Sequence, residues 1–137
     1  MILIACVDDN LGMAFNRRRQ SQDRAVRARM LEDAGGRPLW MNAYSAGQFA
    51  PEEQACIRVA EDFWDRAGAG ELCFAEDGCV RARLPRVEAL ILYRWNRLYP
   101  ADRHLDADPA RLGWRLAARE DFPGFSHKLI TKEVYRP

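Results

Sequence analysis

Ile2-Leu3-Ile4-Ala5-Cys6-Val7-Asp8-Asp9-Asn10-Leu11-Gly12 opens the chain with a continuous apolar run that stops abruptly in turn-forming residues. A strand buried on both faces reads this way, because neither face meets water. Asp8 to Gly12 then supply the short polar and flexible residues of a turn. The run is too short to span a bilayer and no basic residue precedes it, so it reads as a first strand rather than a signal peptide.

Such a strand needs cover, and the next segment provides it. Ser21 suits a helix N-cap and Asp23 the first turn, where an acid favours the helix dipole. The helix is expected to run to about Ala34 and stop at Gly35-Gly36. Val26, Met30 and Ala34 form its inward stripe. Asp23, three residues before Val26, falls on the same face. A carboxylate on an apolar stripe is costly unless paired, which makes Asp23 a candidate site residue.

Short strands are expected at Leu39–Met41, Cys56–Ala60, Glu71–Phe74 and Ala89–Tyr93, with brief helical stretches ending near Phe49 and Ala67. Leu84-Pro85-Arg86 starts the connection into the Ala89 strand. Beyond Trp114 the pattern changes from continuous to alternating. Trp114–Ala118 and Lys128–Tyr135 read as an antiparallel, half-exposed pair joined around Gly124. Early α/β alternation with an antiparallel end predicts one α/β domain over residues 1–137, a mostly parallel sheet with helices on both faces.

Composition narrows the functional classes. Apolar residues make up 48% and charged residues 30%, which excludes a disordered chain. A net charge of +1 gives no global electrostatic case for a nucleic-acid or membrane partner. Cys6, Cys56, Cys73 and Cys79 form no CxxC pattern and are expected to be reduced in a cytoplasmic protein. With only His104 and His127 as histidines, neither carrying a ligand-spaced partner, no metal site is expected.

The order of elements resembles dihydrofolate reductase. Ile2 to Met13 resembles that family's first strand and active-site loop, and Phe15-Asn16 stands where it usually has Trp-Asn. Arg37-Pro38-Leu39-Trp40-Met41 is similar to the strand after the first helix. Leu84-Pro85 through Leu90-Ile91-Leu92-Tyr93 to Ala101-Asp102-Arg103-His104-Leu105 resembles, without a gap, the family's Leu-Pro, the strand ending in Thr, and the Gly-Asp-x-x-Phe turn. Trp114 and Lys128 to Arg136 resemble the closing hairpin.

The resemblance implies a cleft between first strand and first helix that binds a planar nucleotide- or pterin-like molecule. Asp23 is the nearest match to the family's pterin-gripping carboxylate. Tyr93 replaces the threonine that supports that carboxylate and still carries an O–H. Ala5, Asn10, Phe15, Arg18, Arg19 and Gln20 are the expected substrate contacts. The cofactor half departs from the pattern. The family's Gly-Arg-x-Thr reads Asn42-Ala43-Tyr44-Ser45, which leaves Ser45 as the one surviving cofactor contact. Phe74-Ala75-Glu76-Asp77 stands where Gly-Gly should, placing two negative charges near a pyrophosphate. A strand and the 2′-phosphate loop are missing between Ala60 and Phe63. NADPH is therefore disfavoured, and no cofactor is expected.

Other readings follow from other residues. Asp23 is alternatively a helix-terminal acid paired with Arg27 at i+4. Arg17-Arg18-Arg19, with Arg24, Arg27 and Arg29, form either a solvated helix face or a patch for phosphate or RNA. In the latter case His127 is the available general base. Tyr93, Trp95, Tyr99 and Trp114 form either core or a stacking surface. Short bacterial proteins with a similar opening sometimes carry a ribonuclease Z label, but that enzyme's histidine-rich metal motif is absent. A third possibility is an interaction domain without a pocket.

Overall fold

β1 (Ile2–Val7) lies at the centre of the sheet, as its unbroken apolar pattern requires. The computed structural model describes every residue from Met1 to Pro137. β1 is flanked by β6 (Leu72–Phe74) and β7 (Ala89–Arg94), both parallel to it, in registers that include Ile4↔Phe74 and Ile4↔Ile91. β4 (Leu39–Met41) and β5 (Ile57–Val59) extend the parallel side. β10 (Ile130–Arg136) and β9 (Arg115–Phe122) add an antiparallel hairpin beyond β7. The order of the seven strands is β5-β4-β6-β1-β7-β10-β9. β2 (Gly12–Phe15), β3 (Arg18–Arg19) and β8 (Arg103–His104) form a separate small sheet.

Side-chain alternation divides the core in two. Leu3, Ala5 and Val7 pack with Phe63, Trp64, Leu90 and Leu92 on one face. Ile4 packs with Val26, Met30, Phe74, Ile91 and Tyr93 on the other, with Ile2 and Cys6 at its margin. Burying a large apolar side chain such as Leu3 or Leu90 contributes about 1.5–3 kcal/mol. α1 (Arg24–Ala34) and α2 (Ala43–Ala46) cover the Ile4 face, whereas α3 (Phe63–Arg66) covers the Leu3 face. No helix is long and apolar enough to cross a membrane.

The expected stripe of α1 is observed: Val26, Met30 and Ala34 are its buried residues. Gly35, at φ 56, ends the helix and returns its N–H to the Leu31 carbonyl, a left-handed cap that glycine adopts without steric cost. The start differs from expectation. Asp23, not Ser21, is the N-cap, and its carboxylate accepts from the Ala25 N–H. Asp23 therefore precedes the helix and is not part of its stripe. Residues 17–19 are not a helix face either. Asn16 and Arg17, at φ 51 and 62, form the tight turn between β2 and β3, as two-residue hairpins require. β9 is exposed along nearly its whole length, with Phe122 alone buried, because it is the sheet edge.

Candidate functional site

The site is built where β1, β6 and β7 end and the loop before α1 crosses them. Asp8 closes β1. It is buried and accepts from the N–H groups of Asn10 (2.8 Å), Gly12 (2.7 Å) and Tyr99 (3.3 Å), and from Gln20 Nε2 (2.9 Å). Burial alone would raise its pKa, but these donors outweigh burial and lower it. Asp8 thus fixes the turn into β2 and anchors Gln20. Gln20 Nε2 also reaches the Pro100 carbonyl, so its amide orientation is set, while its Oε1 is buried with no hydrogen-bond partner.

A cleft of about 280 Å³ opens beside this anchor, lined by Phe15, Asn16, Arg18, Arg19, Gln20, Tyr99 and Pro100. Phe15 is 50% exposed there. Arg18 is exposed, whereas Arg19 is committed elsewhere. Arg19 donates from Nε and Nη2 to the Glu76 carboxylate at 2.8 and 3.0 Å and lies 4.3 Å from the Tyr44 ring centre. Ser45 Oγ (2.8 Å) and Gln48 Nε2 (3.3 Å) donate to the same carboxylate. Glu76, just past β6, is therefore the hub of a polar bridge to α2 and the loop after it.

Asp23 lies on the far side of the loop, fully buried at its side chain. Besides capping α1 it accepts from the N–H groups of Phe125 and Ser126, each at 2.9 Å, and from Ser126 Oγ at 3.1 Å. His127 Nδ1 lies 2.8 Å from Asp23 Oδ2, and its ring stacks on Trp95 with centroids 4.7 Å apart. Its Nε2 is 2.8 Å from Ser21 Oγ and 3.2 Å from Tyr99 Oη. Burial would raise the Asp23 carboxyl. The His127 ring and the three backbone N–H groups outweigh that and hold it well below the usual carboxylate range. A narrow crevice of about 10 Å³ runs past Ser21, Asp23, Arg27, Cys6 and Glu76. Arg27 Nε is buried there without a partner.

Several sequence expectations are corrected by this arrangement. Asp23 does not pair with Arg27, whose guanidinium meets Gln22 Oε1. Tyr93 does not support Asp23, because its hydroxyl donates to Asp33 Oδ2, while Lys132 donates to Asp33 Oδ1. Burial first, and Asp33 next, push the Tyr93 phenol far above its ordinary value. His127 faces Asp23 from the β9–β10 connection. Ala5 faces the α3 side of the sheet, so its neighbour Cys6 lines the crevice instead. Asn10 opens onto a different surface basin with Arg81 and Asp106. The aromatic residues make no common stacking surface: Tyr93 and Trp95 lie in the α1-side core, and Trp114 packs against the opposite one.

Phe15, Arg18, Arg19 and Gln20 are brought together, and Ser45 sits on the Glu76 bridge. Sequence reasoning missed Ser21, Glu76 as a hub, and the Asp23–His127 contact. Strand alternation could have found Cys6, since Ile2, Ile4 and Cys6 share one parity. Nothing local links residues 23 and 127.

No protein-family model matches this chain, and no curated protein matches its sequence. Its structure is similar to dihydrofolate reductase from Enterococcus faecalis, solved in complex with NADP(H) and RAB-propyl. The two share a TM-score of 0.66 at 12% sequence identity, over 98% of this chain and 94% of that one. The fold is therefore dihydrofolate-reductase-like, in a strongly divergent sequence.

Proposed function

We infer that this chain is a divergent dihydrofolate-reductase-like protein that binds a planar nucleotide- or pterin-like molecule in the Phe15–Tyr99 cleft. The observation that carries this reading is Gln20. Its Oε1 is a buried acceptor without a donor, held in place by Asp8 beside an exposed aromatic ring. A buried polar group left unpaired costs about 1–3 kcal/mol, so Gln20 would gain from a ring amino group brought to it from the cleft. Phe15 and Tyr99 offer faces for stacking, and Arg18 offers an exposed cation for an anionic substituent. The neighbour's own complex with NADP(H) agrees in ligand class with this reading.

Hydride transfer from NADPH is not part of the proposal. Glu76 holds Arg19, Ser45 and Gln48, so the surviving hydroxyl is already engaged by a carboxylate. The phosphate or RNA alternative is weakened because Arg19, one of the clustered arginines, is ion-paired to Glu76.

The test is a thermal-shift panel of folates, pterins, nucleotides and NADPH, followed by Gln20→Ala. A ligand at about 100 times its Kd stabilises the folded protein by about 2.7 kcal/mol. The expected result is a shift with a pterin or a purine nucleotide that is lost in Gln20→Ala. No shift with any member of the panel, or an undiminished shift in Gln20→Ala, would overturn the reading.

A further inference from the structure

Ser21, His127 and Asp23 stand in a relation that the ligand-binding reading does not use. Ser21 Oγ is 2.8 Å from His127 Nε2, and His127 Nδ1 is 2.8 Å from Asp23 Oδ2. Burial is graded along this line. The Asp23 side chain is fully buried, that of His127 is 10% exposed, and Ser21 is half-buried at the rim. Three backbone N–H groups fix the carboxylate, and the Trp95 ring fixes the plane of the imidazole. With Nδ1–H donating to Asp23, the imidazole presents a bare Nε2 to the serine hydroxyl, as a general base must. Arg27 lines the same crevice, and its buried Nε has no acceptor.

We propose that Ser21, His127 and Asp23 form a nucleophile–base–carboxylate triad that hydrolyses esters of small acyl groups. Ser21 Oγ bonds to the acyl carbon as its proton passes to Nε2. The imidazolium then gives that proton to the leaving oxygen as the ester C–O bond breaks, releasing the alcohol and leaving an acyl-serine. Water attacks the acyl-serine, its proton passing first to Nε2 and then to Ser21 Oγ, which frees the carboxylic acid and restores the hydroxyl. The crevice beside Ser21 has a volume of about 10 Å³. It therefore takes a group near the size of a methyl, and the acyl portion is on the acetyl scale while the alcohol portion stays outside.

The experiment uses the full chain and p-nitrophenyl acetate. The reaction is quenched in acid and the acetyl adduct mapped by peptide mass spectrometry, which separates Ser21 from adventitious acetylation of Lys128 or Lys132. The expected result is an adduct at Ser21, absent in Ser21→Ala, with nitrophenol release slowed about 10²-fold or more in His127→Gln. A second variant guards against misfolding of His127→Gln. The thiol of Ser21→Cys should react with iodoacetamide faster than the exposed Cys79, which serves as an internal reference. No Ser21 adduct in the folded wild type would overturn the triad, as would equal nitrophenol release in Ser21→Ala or a Ser21→Cys thiol no faster than Cys79. Ligand binding in the Phe15–Tyr99 cleft is read separately, so either reading can fail alone.

Discussion

Asp23 shows how one side chain joins distant parts of the chain. Its two oxygens receive N–H groups from Ala25, Phe125 and Ser126, the Ser126 hydroxyl and the His127 ring. The carboxylate is therefore buried but satisfied, and removing its charge is costly. Asp23→Asn should lower unfolding stability by about 1.5–3 kcal/mol, the range for hydrogen bonds to charged groups. The pH dependence has a definite sign. The folded pKa lies below the unfolded value of about 3.9, so the stabilisation is complete above that range and is lost as pH falls through it toward the folded value. Urea midpoints measured at pH 7, 4 and 3 should fall more steeply for the wild type than for Asp23→Asn. Parallel pH curves would show that the carboxylate is not the group responsible. The sequence marked Asp23 as unusual for its acid on an apolar stripe. The true reason is its cap geometry, and the partners a hundred residues away left no local trace.

The connection between β9 and β10 is the element that completes the site. It carries Phe125, Ser126 and His127 onto Asp23, and Gly124 is where it comes closest. A Cβ at Gly124 would lie 2.7 Å from the His127 carbonyl, 2.8 Å from Asp23 Oδ2 and 2.9 Å from Ile130 Cδ1. Two of these atoms are held by backbone or by several hydrogen bonds, so they cannot yield cheaply. Gly124→Ala should destabilise by about 1–3 kcal/mol, as overpacking does, and displace His127. The displacement is read by the histidine side-chain NMR shifts, and an unchanged melting temperature with unchanged shifts would contradict it. Gly124 was legible as a connection but not as a close contact, because the latter depends on what α1 brings opposite. Elements with strong local patterns were legible in full: the β1 run, the α1 stripe and Gly35 as its stop. β9 was legible as a strand but not as an exposed edge, since its neighbour is fixed only when the sheet assembles.

At the scale of the whole molecule, the seven-stranded sheet has a core on each face, and both cores share β1 and β7. Leu90→Ala removes a fully buried side chain from β7 and should cost about 2–5 kcal/mol. Fluorescence and circular dichroism should report one coincident transition for that variant and for the wild type, whereas separated transitions would show the two faces unfolding independently. Arg19, Ser45 and Gln48 converge on Glu76, so calorimetric titration with NADPH should give no saturation at about 100 µM, or less than about 5.5 kcal/mol of binding. Micromolar or tighter binding would mean that the bridge opens for the cofactor. By itself the sequence determined the order of the seven strands of the main sheet and of the three helices among them, and their buried faces; the small sheet of β2, β3 and β8 left no such mark. Those properties are written in short-range periodicity and in residue type. Only the tertiary structure decided that Glu76 receives Arg19, that Tyr93 serves Asp33, and that Asp23 meets His127 and Ser21. Those pairings join segments far apart in the chain, and the folded sheet, not local pattern, sets which side chains share a space.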